Sequence, residues 1–303
     1  MDGVGRVSVR LGWVVVKDPT GEPYAVAAAG GTAYGAFYVP VAEAIQKRHG
    51  RLPEVIDCVS TACLTGSLWA SDMLDVHRAE YERLRGTDGF ARLQWWAPWR
   101  GLLNLRPRLG KRLEVHRVGE KLKRPVRVNT IHVASRKSCQ WWLNDMAPTD
   151  ARDAIIAGCT WTPPIMTRAM VCGEAHMDSG AGGAFLHSFT AQELRSWQVR
   201  TLYLLVPTPV GEARRDFPGA GDLGPFEEVE ATYQRIMADR LDRDLEWAHD
   251  QAAAAGVRVV VIAPASWDGL GTPFQATPEV IRARFAAGEA AVRGVFSTPG
   301  AAL

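Results

Sequence analysis

The stretch Tyr24–Ala70 constrains this chain most, because it sets a glycine turn and a solitary serine about thirty residues apart, the length of one strand-helix-strand unit. Tyr24-Ala25-Val26-Ala27-Ala28-Ala29 is short, uncharged and built of small residues, which suits a buried strand, and Gly30-Gly31-Thr32-Ala33-Tyr34-Gly35 forces a turn after it. From Phe37 the apolar positions Phe37, Val41, Ala44 and Ile45 fall at helical spacing, and His49-Gly50-Arg51-Leu52-Pro53 closes that helix. Pro40 falls beyond the first turn of that helix and predicts a kink or a later start. Val55-Ile56-Asp57-Cys58-Val59 reads as a second strand, and it delivers Ser60 to the start of another helix carrying Leu64, Leu68 and Trp69.

A serine between a strand and a helix sits in a tight turn with its hydroxyl over the sheet edge and the helix amides facing it, a geometry that suits a nucleophile. The same position also suits a helix-capping serine. Small residues two before and two after the serine let such a turn close; here they are Cys58 and Ala62, where glycine is usual.

Gly30-Gly31-Thr32-Ala33-Tyr34-Gly35 followed by Cys58-Val59-Ser60-Thr61-Ala62 resembles the patatin-like phospholipase family, whose glycine turn precedes a Gly-x-Ser-x-Gly motif and whose aspartate comes later in Asp-Gly-Gly or Asp-Gly-Ala. Asp178-Ser179-Gly180 stands where that aspartate is expected, after an Ala154–Pro163 segment similar to the family's approach to it. The likeness extends to Leu245–Pro264 and Phe274–Ala291 and is poor from about residue 72 to residue 150. Thr32 replaces a glycine, Tyr34 a basic residue, Cys58 and Ala62 the glycines around the serine, and Ser179 the glycine after the aspartate.

The resemblance implies an α/β fold, a three-layer α/β/α sandwich with a largely parallel central sheet, as one domain over residues 1–303 with a variable lid-like insertion at about residues 72–125. It also implies a Ser60/Asp178 dyad, with Gly31 and Thr32, joined by Gly30, offering main-chain N–H groups to an oxyanion. The expected activity is serine acyl hydrolysis of an ester or thioester through an acyl-enzyme. The alternatives are acyl transfer or thioester cleavage on a carrier-bound acyl group, and a non-catalytic binding protein descended from such an enzyme.

Composition narrows the class further. With 303 residues and 47% hydrophobic content the chain can bury a large core. Its 35 basic residues nearly balance 33 acidic ones, so no global field recruits nucleic acid or a membrane. Five cysteines, at 58, 63, 139, 159 and 172, show no Cys-x-x-Cys pair, which points to a reducing cytoplasm and no metal site; no cofactor is expected. Met1–Trp13 lacks the apolar core of a secretory signal, and the uncharged run from Pro23 to Ala42 is broken by Gly30, Gly31, Gly35 and Pro40, against a membrane span.

Elsewhere Gln94–Arg100 holds three tryptophans, suited to a satellite core, an acyl pocket or transient contact with a membrane surface. The segment from Arg106 to Arg124 is basic, suited to a solvated helical face or to an anionic head group or acyl carrier. Val7–Val16 reads as a strand joined to Tyr24–Ala29 by a turn-rich link, Val126–Val133 as a strand with a bulge or break near Asn129, and Ser135–Asn144 as a loop. Thr201–Val206 and Val257–Pro264 read as buried strands, Phe226–Gly256 as a helix, Pro278 as the start of a final helix carrying Val280, Ile281, Phe285 and Val292, and Gly211–Pro225 as a surface loop. His116, His132, His176 and His187 are weaker candidates for a catalytic base.

Overall fold

A computed structural model of the chain describes residues 20–84, 92–93, 103–161, 166–181, 184–210, 225–271 and 276–296. The tryptophan-rich segment 94–100, the early run 7–16 and residues 211–224 of the expected surface loop lie outside the described residues.

The uncharged run Tyr24–Ala28 forms strand β1, every residue of it buried. Alternation splits its side chains: Tyr24, Val26 and Ala28 join one core, Ala25 and Ala27 another. A short 3-10 helix, Thr32–Phe37, follows the turn and runs into α1, Tyr38–His49, which closes at Gly50 with φ 66°. Because α1 starts at Tyr38, Pro40 lies inside its first turn, where no intrahelical N–H bond is lost; this is the later start that Pro40 predicts. Strand β2, Val55–Cys58, then leads through Ser60 into α2, Ala62–Ala70, and α3, Leu74–Glu82.

The weakly matching segment contributes a small hairpin, β3 Arg92–Leu93 with β4 Leu103–Asn104, a π-helical turn Arg106–Gly110 and α4, Lys111–Val115. Next come β5, Val126–His132, and β6, Ser138–Trp142. Two local expectations are corrected here. β5 runs unbroken through Asn129, whose side chain donates to Asp57 Oδ1 and to the Cys58 carbonyl, and the expected loop contains β6, a partly exposed strand paired antiparallel with β5. Helix α5, Pro148–Gly158, precedes a second antiparallel pair, β7 Ala169–Val171 and β8 Glu174–Asp178. The remaining elements are α6 Ala191–Ser196, β9 Thr201–Leu205, α7 Pro225–Ala255, β10 Arg258–Ile262 and α8 Pro278–Phe296.

Apart from the β3–β4 pair, the described strands make one sheet in the order β10-β9-β1-β2-β5-β8-β7, with β6 also on β5. Pairings from β10 to β5 are parallel; those of β6, β7 and β8 are antiparallel. Residues of α1, α2, α5 and α8 fill the core on one face, and Leu194 of α6 with Leu241, Leu245, Ala248 and Ala252 of α7 fill the other. The protein is therefore a mixed α/β sandwich of three layers around a mostly parallel sheet, as the alternation of strand and helix predicts. Among the described residues no helix is long and apolar enough to cross a membrane.

Candidate functional site

The shared edge of β5 creates the site. β6 occupies one edge of β5 from Arg127 to Ile131, so β2, paired at Ile56–Cys58, and β8, paired at Met177 and Asp178, must divide the other edge between them. Cys58 lies opposite Val128 and Asp178 opposite Thr130. Because β2 runs parallel and β8 antiparallel to β5, their C-terminal ends meet head to head. The residue pair at that meeting point is Ser60 and Asp178.

Ser60 adopts φ 57°, a conformation that costs a side-chain-bearing residue about 1 kcal/mol or more and persists only where surroundings impose it. Those surroundings are identifiable. The Ser60 carbonyl accepts the Cys63 N–H at 2.9 Å and the Cys159 S–H at 3.2 Å, while Val59 N–H donates to the Ala28 carbonyl of β1 at 3.1 Å. Thr61, not Ser60, is the N-cap of α2, so Ser60 does not cap that helix; its hydroxyl instead acts on the Asp178 carboxyl, favouring the ionised form.

Asp178 is 4% exposed, as is Ser60. Its N–H donates to the Thr160 carbonyl at 2.7 Å, and its Oδ1 accepts the Gly180 N–H at 2.8 Å. Burial raises its carboxyl to about 7, even though the Ser60 hydroxyl and the Gly180 N–H pull the other way. A carboxylate of that basicity exchanges a proton near neutral pH.

The glycine turn lies against this pair. A Cβ on Gly30 would sit 3.1 Å from Ser60 Cβ, so a glycine allows the close approach. The Gly30 N–H, however, donates to the Phe185 carbonyl at 2.8 Å, which removes it from the expected oxyanion donors in this conformation. At Gly31 a Cβ would lie 2.4 Å from Pro207 Cγ, and Thr32 opens the 3-10 helix immediately after it. Phe185 also reaches Gly180, and its loop is pinned from α7 by Asp244, whose Oδ2 accepts the Phe185 and Leu186 N–H groups at 2.8 and 3.0 Å.

Close packing displaced from the elbow positions explains how Cys58 and Ala62 fit. Gly66, one turn further along α2, lies over Cys58, and an added Cβ there would be 2.2 Å from its Sγ; Gly158 of α5 similarly accommodates Cys63 and Val128. The helix-to-strand approach that glycine usually gives beside the serine is thus given from the opposing element. Gly66→Ala is expected to destabilise the protein by about 1–3 kcal/mol in urea denaturation, and Cys58→Ala in the same chain to return part of that loss. Burial pushes the Cys58 and Cys63 thiols well above their usual range, so they act as packing groups and not as nucleophiles.

None of the histidines bonds Ser60 among the described residues. His116 sits on Glu80 at 3.2 Å, and His132 on Ser135 at 2.7 Å. His176 faces Thr130, whose hydroxyl also accepts the Trp141 N–H. Burial lowers His187, which lies near Asp57 and Arg127. Among the described residues no group of three metal-ligating side chains is present.

The sequence reading did not anticipate two features around the site. Arg127, 2% exposed, donates to Asp57 Oδ2 at 2.6 Å, to Glu193 Oε1 and to the Ser188 carbonyl at 2.8 Å, locking β5 to β2 and to the loop after Phe185. Arg284 of α8 is fully buried, donates to the Leu270 carbonyl at 2.9 Å, and lies 4.8 Å from the centre of the Tyr34 ring. A cation thus reaches the glycine turn from α8, where the resembled family carries a basic residue in the turn itself.

Neither a protein-family model nor a curated protein matches the chain. Among solved structures it is similar to VipD from Legionella pneumophila, at 11% identity and a TM-score of 0.45, over 91% of this chain and 66% of that one. A likeness of that size leaves the chemistry to be read from the residues.

Proposed function

We propose that the protein is a patatin-like serine acyl hydrolase that cleaves an ester or thioester by a Ser60/Asp178 dyad. The observation that carries this reading is a strained serine at a strand-to-helix junction, set where β2 and β8 meet, whose hydroxyl acts on a buried carboxyl raised to about 7. Asp178 accepts the Ser60 proton as Oγ attacks the acyl carbonyl, so the carboxylate charge is neutralised while negative charge develops on the carbonyl oxygen. The main-chain amides of Gly31 and Thr32 receive the developing oxyanion, an interaction whose loss typically costs about 3–4 kcal/mol of barrier. Protonated Asp178 then gives its proton to the leaving alkoxide or thiolate. Water, deprotonated by the same carboxylate, resolves the acyl-Ser60 ester and releases the acid. The high basicity of Asp178 supports the direct transfer, since an ordinary carboxylate is a poor acceptor for an alcohol proton.

The pH dependence tests the assignment of the base. With p-nitrophenyl butyrate as substrate, kcat/KM is expected to be low when Asp178 is protonated and to rise with pH through an apparent pKa near 7. A profile that levels off by about pH 5 would assign the proton to a different acceptor.

A further inference from the structure

Building on the acyl-hydrolase reading of Ser60 and Asp178, we infer that Phe185 is the wall of the acyl subsite and restricts the substrate to esters or thioesters of short acyl groups, acetyl to butyryl. The ring stands against both halves of the dyad. A Cβ on Gly30 would lie 3.1 Å from Ser60 Cβ and 3.8 Å from Phe185 Cδ1. One on Gly180, whose N–H donates to Asp178 Oδ1 at 2.8 Å, would lie 3.2 Å from that same oxygen and 3.3 Å from Phe185 Cε1. One edge of the ring therefore faces the glycine beside Ser60 and the glycine beside Asp178. Trp161 packs on Phe185, and it directly follows Thr160, whose carbonyl accepts the Asp178 N–H at 2.7 Å.

The backbone that carries the ring is fixed from several directions. The Phe185 carbonyl accepts the Gly30 N–H at 2.8 Å, and the N–H groups of Phe185 and Leu186 donate to Asp244 Oδ2 of α7 at 2.8 and 3.0 Å. The Leu186 side chain is buried in the core on the α6 and α7 face, and the Ser188 carbonyl accepts from Arg127 of β5 at 2.8 Å. The glycine turn, α7 and β5 thus hold one short loop between them. A longer chain cannot push such a ring aside by shifting its loop without breaking these bonds, so the ring acts as a boundary.

The two sides of a hydrolase dyad have different needs. The alcohol or thiol leaves and water takes its place, so that side must admit solvent, whereas the acyl group stays on Ser60 through both steps and can be enclosed. Phe185 is 1% exposed and has no polar atom in its side chain, which suits the enclosed side. In an apolar pocket of fixed size, each methylene beyond the fit costs about tenfold or more in kcat/KM.

Steady-state hydrolysis of p-nitrophenyl acetate, butyrate and octanoate by the full chain tests the wall. For the unaltered chain, kcat/KM is expected to fall at least about tenfold from butyrate to octanoate. Phe185→Ala is expected to raise the octanoate-to-butyrate ratio at least about tenfold, and the milder Phe185→Leu about threefold, with circular dichroism showing that each variant is folded. The ratio does not depend on the fraction of active protein, so a loss of stability in a variant leaves it readable. With the alcohol varied at constant acyl group, p-nitrophenyl against naphthyl butyrate, both variants are expected to keep the ratio of the unaltered chain. Preference of the unaltered chain for octanoate, an unchanged acyl ratio in the folded variants, or a change in the alcohol ratio in place of the acyl ratio would overturn the wall while leaving the dyad standing. Failure of every ester, together with failure of an ethyl fluorophosphonate to label Ser60, would overturn the dyad and the wall with it.

Discussion

Ser60→Ala and Asp178→Asn are each expected to lower the hydrolysis of p-nitrophenyl butyrate by at least about 10³-fold in kcat, with KM much less changed. The two losses arise differently. Ser60→Ala removes the atom that becomes acylated, and Asp178→Asn leaves that atom in place without a group to take its proton. Because the two act as a unit, the double variant is expected to be little worse than either single one, and additive losses would argue that they serve separate steps.

Asp178→Asn carries a second signature that a bystander aspartate would not show. Burial raises its carboxyl from 3.8 to about 7, so between those values the folded protein holds a proton that the unfolded chain has released. Stability therefore falls as pH rises across that window, and above it the ionised carboxylate carries its full desolvation penalty. Replacing it by a neutral isostere is expected to raise stability at pH 8 by at most about 4 kcal/mol and to change it little at pH 4, as read by urea denaturation. The inactive variant is thus expected to be the more stable protein at alkaline pH. An equal effect at both pH values would show that Asp178 is not held in the way its surroundings imply.

The largest loss of stability is expected away from the dyad, at Arg127. Its guanidinium is enclosed with Asp57, lies 5.0 Å from the Phe189 ring centre and 5.2 Å from that of Trp142, and also binds Glu193 and the Ser188 carbonyl. Burial opposes its charge, and the two carboxylates more than offset that, holding Arg127 above its ordinary value. Arg127→Met leaves Asp57 buried with Asn129 as its remaining side-chain donor among the described residues, and the expected cost is about 3–5 kcal/mol in urea denaturation. The cost comes from the stranded carboxylate, so Asp57→Asn in the same chain is expected to return a substantial part of it. A loss below about 1 kcal/mol for Arg127→Met would show the network to be dispensable.

The legible half of this molecule is the half whose contacts are local in sequence. β1, the glycine turn, α1, β2 and Ser60 follow one another with patterns short enough to read directly, and α7, β10 and α8 show the same clear periodicity. β6 was hidden because an edge strand with Ser138, Cys139 and Gln140 carries too little apolar alternation to stand apart from a loop. Asn129 suggested a bulge because a polar residue broke the pattern, whereas its amide is buried against Asp57. The close approach of Gly66 to Cys58, and of Arg284 to Tyr34, joins residues whose partnership no spacing records. Asp178 was found through the company it keeps in a family pattern. What sequence did not reveal is why it arrives beside Ser60: β2 and β8 share one edge of β5 from opposite directions.

The most direct measurement is covalent labelling with a fluorophosphonate at pH 8, read by intact-mass and peptide mass spectrometry. An activated serine displaces fluoride and gains the phosphonyl group, and the expected result is one adduct per chain, on Ser60, absent from Ser60→Ala and strongly slowed in Asp178→Asn. Folded protein that takes up no label at Ser60, or labels equally fast without the Asp178 carboxylate, would contradict the dyad.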